Sequence, residues 1–175
     1  VDDIVPLQPE RYIDDDIRMI MADYVCAMQD DNDTMAALRR YFTGQSMQTA
    51  IDAMPFRSAK KYGGVSFHED ETYLLGAPEI LLANCPEKEQ YLPLAEEWSA
   101  KGCRVLLLAL YDGKLSDEAL DAEMMPLALI LLSNKIRPEA PQTFSYFAQQ
   151  GVRTKVISGD NPLTVSRSEE RRVGK

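Results

Sequence analysis

The stretch CRVLLLALYDG, residues 103–113, decides the fold class of this chain. Its apolar residues follow one another without the polar alternation of a half-exposed strand, so an extended segment here would be covered on both faces. Asp112 and Gly113 close the run with residue types that are common in turns. The pattern therefore predicts a strand buried on both faces, with the other elements arranged around it.

The residues before this strand begin with helical patterns. Apolar side chains recur at steps of three and four between Ile13 and Met28, which predicts an amphipathic helix. The acidic run DDND, 30–33, offers side-chain oxygens that can cap a second helix, which Gly44 would end. The apolar positions within 47–54 fit a third, shorter helix.

Strand patterns follow, and a helix then leads into the buried strand. Residues 56–67 and 72–77 are short β-like runs on either side of the turn HEDE, 68–71, which is the pattern of a hairpin. Residues 87–102 have the pattern of a helix that is stopped by Gly102. Together these patterns predict the fold class α+β, with an antiparallel sheet flanked by helices.

The pattern changes again after Met125. Residues 126–136, PLALILLSNKI, have the pattern of a buried strand, 137–151 that of a helix, and 152–158 that of a further strand. This succession predicts one βαβ unit of a parallel, Rossmann-like sheet. We therefore expect three parts of the chain: a first domain at 1–120, a partial βαβ unit at 121–166, and a charged tail at 167–175 that is disordered or foreign to the fold.

The composition of the 175 residues narrows the class of function. A formal net charge of −9 with scattered Lys and Arg disfavours a nucleic-acid partner, because the phosphates of DNA or RNA would be repelled. Three separated cysteines without a CxxC pair indicate a reducing compartment. The longest apolar run, 124–132, contains Pro126 and is shorter than the ~20 residues of a membrane helix. We expect a soluble piece of protein.

Two local features have the residue types of metal or catalytic sites, but simpler interpretations fit them better. His68 is the single histidine and lies in an acidic turn, where a solvated side chain is expected. DNDT, 31–34, has some likeness to the sequence around a phosphorylated aspartate, but it follows a helical pattern instead of a buried strand. We interpret DNDT as a helix cap, and we predict no metal site and no catalytic residue in this chain.

Five motifs occur in the same order as in the cation-transporting P-type ATPases, which the chain resembles from about Met54 to Ser166. They are MPFRSAKKYGGVSF (54–67), YLLGAPEILL (73–82), KGCRVLLLAL (101–110), NKIRPEA (134–140) and VISGDN (156–161). The resemblance implies a nucleotide-binding domain, followed by the return into a phosphorylation domain of the haloacid dehalogenase type. In that family ATP phosphorylates an aspartate in the sequence DKTGT. This chain contains neither DKTGT nor TGDGxND, so the resemblance implies ATP binding without hydrolysis.

The resemblance also implies a nucleotide site. Phe56 matches the aromatic residue that stacks on adenine, and Lys61 matches a lysine beyond it. Gly76 matches the glycine of the KGAPE motif, where the missing Cβ would let the backbone approach the base. Arg104 matches the arginine of a G-x-R-V strand, whose planar guanidinium suits phosphate or ribose oxygens. ATP is therefore the implied ligand, with Mg²⁺ in the intact protein.

Four further residues match the phosphorylation domain of the family. Arg137 matches the arginine of its D-x-x-R motif, and Ser158, Gly159 and Asp160 match its TGD loop, which contacts the transferring phosphate. The implied partners are the remaining domains of the same pump, which would hold this part at the cytoplasmic face of the cell membrane.

Three positions depart from the family pattern. Leu75 replaces the lysine of KGAPE, Met35 stands where an acidic residue can read the adenine amine, and Asn134 replaces the aspartate of D-x-x-R. The first two changes replace polar recognition by apolar contact and leave base selectivity open. Two alternatives also stay open: a stand-alone phosphotransferase or phosphatase of the haloacid dehalogenase class, and a non-catalytic interaction domain.

Overall fold

The computed structural model describes residues 1–69, 71–133 and 140–152, which contain six strands, five α-helices and a 3₁₀ turn. The strands are β1 (Asp3–Pro6), β2 (Asp52–Arg57), β3 (Tyr62–His68), β4 (Glu71–Gly76), β5 (Cys103–Tyr111) and β6 (Met124–Ser133). The helices are α1 (Asp14–Ala27), α2 (Asp33–Tyr41), α3 (Pro78–Leu81), α4 (Lys88–Ala100) and α5 (Ala140–Gln149), and the 3₁₀ turn is Leu82–Asn84.

The strands form one sheet in the order β1-β6-β5-β4-β3-β2, and every neighbouring pair is antiparallel. Strand β5 lies inside the sheet between β4 and β6, with Leu108 opposite both Leu75 and Ala128. The predicted α+β class with an antiparallel sheet and flanking helices is therefore confirmed, as is the strand that was predicted to be buried on both faces.

Helices cover both faces of the sheet, and successive residues of β5 pack into the two cores in turn. Leu108 belongs to the core beneath α1 and α2, where it joins Met21 and Leu38. Leu107 faces the opposite side and belongs to the core beneath α3 and α4, with Leu81. Leu107 and Leu108 are both fully buried, which explains the unbroken apolar run of this strand.

Strand β6 corrects one prediction. We expected residues 126–136 to open a parallel βαβ unit, but Met124–Ser133 pairs antiparallel with β1 and β5. A strand that is buried on both faces has the same apolar pattern in either kind of sheet, so burial alone did not reveal the pairing. The sheet therefore continues past residue 120. The helix predicted for 137–151 is confirmed as α5, while 134–139 and 153–175 lie outside the described residues. The further strand at 152–158, the division into domains and the tail therefore remain predictions.

The helix predicted within 47–54 is a second correction. Strand β2 begins at Asp52, and just before it the N–H of Ile51 already donates to the carbonyl oxygen of Ser66 in β3. Met54 is the one buried residue of β2, which lies at the edge of the sheet. The spacing of apolar residues in this segment fits a helix by coincidence, because an edge strand buries too few side chains to show its own period.

Candidate functional site

A cavity of about 800 Å³ opens at one end of the sheet, between the two layers of helices. The turn between β2 and β3, the end of β4 and the start of β5 all lie at this end, since Arg57 pairs with Tyr62 and Tyr62 pairs with Gly76. Residues of α1, α2, α3 and α4 complete the lining. The antiparallel connections thus bring together segments that are distant in the sequence.

Three of the four residues predicted for a nucleotide site line this cavity. They are Phe56, Lys61 and Arg104, which come from β2, from the turn after it, and from β5. Leu75 and Met35, the two departures from the family pattern, also line it. The structure therefore brings these positions to one place, and their contact with a nucleotide remains a prediction.

Phe56 offers an exposed ring on a fixed backbone. Phe56 is 41% exposed, and its N–H donates to Asp30 Oδ1 at 3.1 Å. On the other side, a Cβ added to Gly63 would lie only 2.9 Å from the Phe56 nitrogen. The loop between α1 and α2 and strand β3 thus hold the backbone from two sides and leave one aromatic surface available for stacking.

Lys61 is held in a conformation that is rare for a residue with a side chain. Its φ is 60°, in the left-handed region. Its N–H donates to the carbonyl oxygen of Arg57 at 2.7 Å, and its own carbonyl oxygen accepts the N–H of Ala77 at 2.9 Å. The ammonium nitrogen lies 3.3 Å from Glu79 Oε1. The turn therefore fixes where the lysine side chain starts, and an acidic side chain already contacts its end.

Gly76 lies against the backbone of Lys61 and is not in the lining of the cavity. A Cβ at this position would meet the side chain of Tyr62 and would lie 2.5 Å from the carbonyl oxygen of Lys61. The resemblance had implied that the missing Cβ makes room for a nucleotide base. In the structure the room is filled by the β2–β3 turn, so the glycine allows β4 to approach that turn closely.

Arg104 links the start of β5 to the first turn of α2. Its Nη1 donates to Thr34 Oγ1 at 3.1 Å. Asn32 caps α2 and its side chain accepts the N–H of Met35 at 2.9 Å, which confirms the interpretation of DNDT as a helix cap. Asn32, Asp33 and Thr34 also line the cavity, so this cap is part of the site.

The side of the cavity formed by α1, α2 and β4 is apolar, and we call it the apolar wall. It consists of Tyr24, Met28, Met35, Leu38 and Leu75, each of which is at most 4% exposed. Burial, with a smaller contribution from the nearby charge of Asp30, raises the pKa of the Tyr24 phenol, which therefore stays neutral. This wall offers contact area to a flat apolar surface and carries no charge.

The charged residues of the lining form what we call the charged rim. The carboxylates are Asp33, Glu79 and Glu96, and the cations are Lys61 and Arg104. Arg104 is partly buried and the other four residues are exposed. The rim therefore contains one more carboxylate than cations, which is unfavourable for an anionic ligand at long range.

One set of supporting contacts was missed by the sequence analysis. Arg39 of α2 donates to the carbonyl oxygens of Val25, Met28 and Asp30, at 3.3, 2.6 and 2.8 Å. These bonds satisfy carbonyls at the end of α1 and fix the loop whose Asp30 carboxylate holds Phe56. The acidic run 30–33 was visible in the sequence, but only as a cap for α2.

The other predicted residues give no second site in the described part of the chain. His68 has a side chain that is 73% exposed and lies 3.8 Å from Glu71. Within residues 1–69, 71–133 and 140–152, no group of three or more His, Cys, Asp or Glu side chains could hold a metal ion. Arg137, Ser158, Gly159 and Asp160, and also Asn134, lie outside the described residues.

Comparison with known proteins relates this chain to transport ATPases. It is 36% identical over 168 residues, 95% of the chain, to the probable cation-transporting ATPase exp7 of Streptococcus pneumoniae. It is 35% identical over 152 residues to the calcium-transporting ATPase CtpE of Mycobacterium bovis, and 38% identical over 135 residues to CtpE of Mycolicibacterium smegmatis, which are 87% and 77% of the chain.

These similarities cover only part of each relative. The chain spans 21% of the length of exp7, and 19% and 17% of the two CtpE proteins. No protein-family model matches it. None of the helices in the described ranges is long and apolar enough to cross a membrane.

Proposed function

This chain is homologous over most of its length to cation-transporting P-type ATPases, and on that premise we propose that it is the ATP-binding part of such a pump. It would position ATP for phosphorylation of an aspartate outside this chain, because DKTGT is absent from its sequence. The observation that carries the proposal is the meeting of Phe56, Lys61 and Arg104 in one cavity.

The two sides of the cavity suit the two ends of ATP. The adenine would stack on the exposed ring of Phe56 and contact Met35 and Leu75 of the apolar wall, where flat apolar surfaces are buried together. The phosphates would be drawn to Lys61 and Arg104 on the charged rim. The chain would bind and orient the nucleotide, and Mg²⁺ would accompany the phosphates in the intact pump.

The rest of the pump would complete the reaction. Its phosphorylation, actuator and membrane domains are the proposed partners, and this part would lie at the cytoplasmic face of the membrane. Acyl-phosphate formation on the remote aspartate would drive the movement of a cation, and CtpE is named as a calcium-transporting ATPase. The residues that choose the cargo would belong to the membrane domain.

One alternative is favoured by a specific observation. Leu75 and Met35 make the base-side wall entirely apolar, and the charged rim contains more carboxylates than cations. Both features would weaken nucleotide binding and would suit a non-catalytic interaction domain. A stand-alone phosphatase of the haloacid dehalogenase class receives no such support, since no Asp-x-Asp follows a buried strand in the described residues.

Nucleotide titration followed by backbone-amide NMR tests the proposal. We expect ATP and ADP to give saturable shifts near Phe56, Lys61 and Arg104, and a dissociation constant of about 1 mM, or roughly −4 kcal/mol, would still be detected. Phe56→Ala should weaken binding about tenfold through loss of stacking. Phe147→Ala is the matched control, since Phe147 is 40% exposed in α5 and does not line the cavity.

The alternatives predict other results in the same experiment. No saturable shift with ATP, ADP or GTP would favour an interaction domain. An equal loss of affinity in Phe147→Ala would show that the described cavity is not the nucleotide site. Turnover of p-nitrophenyl phosphate by this chain would support the phosphatase.

A further inference from the structure

Glu79 occupies the position from which it can compete with a ligand for Lys61. It lies in the lining of the cavity, and its Oε1 is 3.3 Å from the ammonium nitrogen of Lys61. We propose that Glu79 is an internal counter-ion that must release Lys61 before a phosphate group can take its place, and that it thereby sets the affinity for the phosphate part of the nucleotide. This inference rests on the proposed function.

The backbone holds the two side chains close together. The carbonyl oxygen of Lys61 accepts the N–H of Ala77, and Glu79 follows two residues later at the start of α3, directly after Pro78. The left-handed φ of Lys61 and its hydrogen bond to Arg57 keep the turn in place. Because both backbones are fixed, the pair would be broken by rotation of side chains and not by movement of a loop.

The small number of cations around the pair should make its effect on phosphate binding measurable. The other cation in the lining is Arg104, which contacts Thr34, and Leu75 adds no charge where the resembling family has a lysine. Lys61 is therefore one of two cations in the lining of the cavity, and its charge is neutralised by Glu79. Each side chain of the pair is about half exposed, so water screens the interaction and its contribution is modest.

Glu79→Gln keeps the shape of the side chain and removes its charge. We expect this variant to bind ATP about threefold more tightly, the change expected from an exposed ion pair of ordinary strength. Adenosine carries no phosphate, so its affinity should stay the same. The ratio of ATP to adenosine affinity therefore reports the phosphate part alone.

Glu96→Gln is the matched control. Glu96 also lines the cavity, on α4, and no ion pair joins it to Lys61 or Arg104 among the described contacts. Its substitution removes the same charge from the same cavity, and we expect it to change the affinity for ATP by less than the Glu79 variant does. Equal effects would mean that the overall charge matters and that the specific pair does not.

The decisive experiment is calorimetric titration of ATP and adenosine into the whole chain and into Glu79→Gln, Glu96→Gln and the double variant Lys61→Gln/Glu79→Gln. The gain in ATP affinity that Glu79→Gln produces should vanish when Lys61 is also replaced by Gln. If the unaltered chain binds ATP and Glu79→Gln does not bind it more tightly, this inference is overturned while the proposed function stands. If no variant binds ATP or adenosine, the proposed function fails and the inference with it.

Discussion

The apolar wall and the charged rim of the cavity are held in place by different forces. The residues of the wall are buried and belong to the core beneath α1 and α2, where each packs against several neighbours. The residues of the rim are exposed or partly buried, and its two cations are positioned by hydrogen bonds, Lys61 with Arg57 and Ala77 and Arg104 with Thr34. One cavity therefore combines a part made by packing with a part made by polar contacts.

This difference indicates how each part responds to substitution. A smaller side chain in the wall leaves a hole in a close-packed core, so the folded state itself is weakened. A neutral side chain in the rim changes the electrostatic field of the cavity while the fold keeps its packing. We therefore expect the largest losses of stability from substitutions in the wall and the smallest from substitutions in the rim.

The largest expected effect is on the wall. Leu38→Ala should lower the free energy of unfolding by about 3 kcal/mol, because Leu38 is completely buried and the space would not be refilled. Urea denaturation measures the change. Met19→Ala in α1, where Met19 is 58% exposed, should stay within about 0.5 kcal/mol. Similar losses in the two variants would contradict the distinction between wall and surface.

The next largest effect is expected for the hydrogen bonds by which Arg39 supports the loop beside the cavity. Arg39→Ala should lower the free energy of unfolding by about 2 kcal/mol, since carbonyl oxygens at the end of α1 and in the loop after it lose a charged donor. Its neighbour Arg40 is exposed and makes no such contacts with the residues that the structure describes, so Arg40→Ala serves as the control. Thermal unfolding of both variants compares them. The prediction is wrong if they unfold at the same temperature.

A smaller effect is expected where the loop between α1 and α2 holds the backbone of Phe56. Asp30→Ala removes the acceptor for the Phe56 N–H and should lower the free energy of unfolding by about 1 kcal/mol. It should also weaken ATP binding about threefold, in keeping with the usual strength of one hydrogen bond. In a Phe56→Ala background the effect on ATP binding should disappear and the effect on unfolding should remain. An undiminished loss of affinity in that background would show that Asp30 acts by another route.

The smallest effect on stability belongs to the rim. Glu96→Gln should change the free energy of unfolding by no more than about 0.5 kcal/mol, because the side chain is exposed and its charge is solvated. Chemical denaturation under the conditions used for Leu38→Ala allows direct comparison. A loss as large as that of the wall variant would mean that rim and wall are coupled.

The sequence allowed most elements of the fold to be predicted, because the predictions used local periodicity. The helices α1, α2 and α4 follow steps of three and four, and β5 follows an unbroken apolar run. The strand β1 was missed because four residues ending in Pro6 are too short to show a period. The pairing of β6 was wrongly predicted because burial on both faces does not distinguish a parallel neighbour from an antiparallel one.

The candidate site shows more clearly that local sequence patterns do not reveal contacts between distant segments. Phe56, Lys61 and Arg104 were identified through motifs, each of which is a continuous stretch of sequence. Asp30 and Thr34 were recognised only as part of a helix cap, and their contacts with Phe56 and Arg104 were not predicted because these join residues 26 and 70 positions apart. Gly76 was recognised as a position that needs close approach, but the sequence did not show that the approaching group is the backbone of Lys61.

The sequence by itself determined the local elements, the apolar character of the wall and the residue types available for a nucleotide. Each depends on the order of neighbouring residues, through side-chain period, capping groups and turn conformations. The tertiary structure alone decided that β6 lies between β1 and β5, that Arg39 fixes the loop carrying Asp30, and that Glu79 contacts Lys61. Those contacts form only when strands pair and bring distant segments to one end of the sheet, so no local pattern contains them.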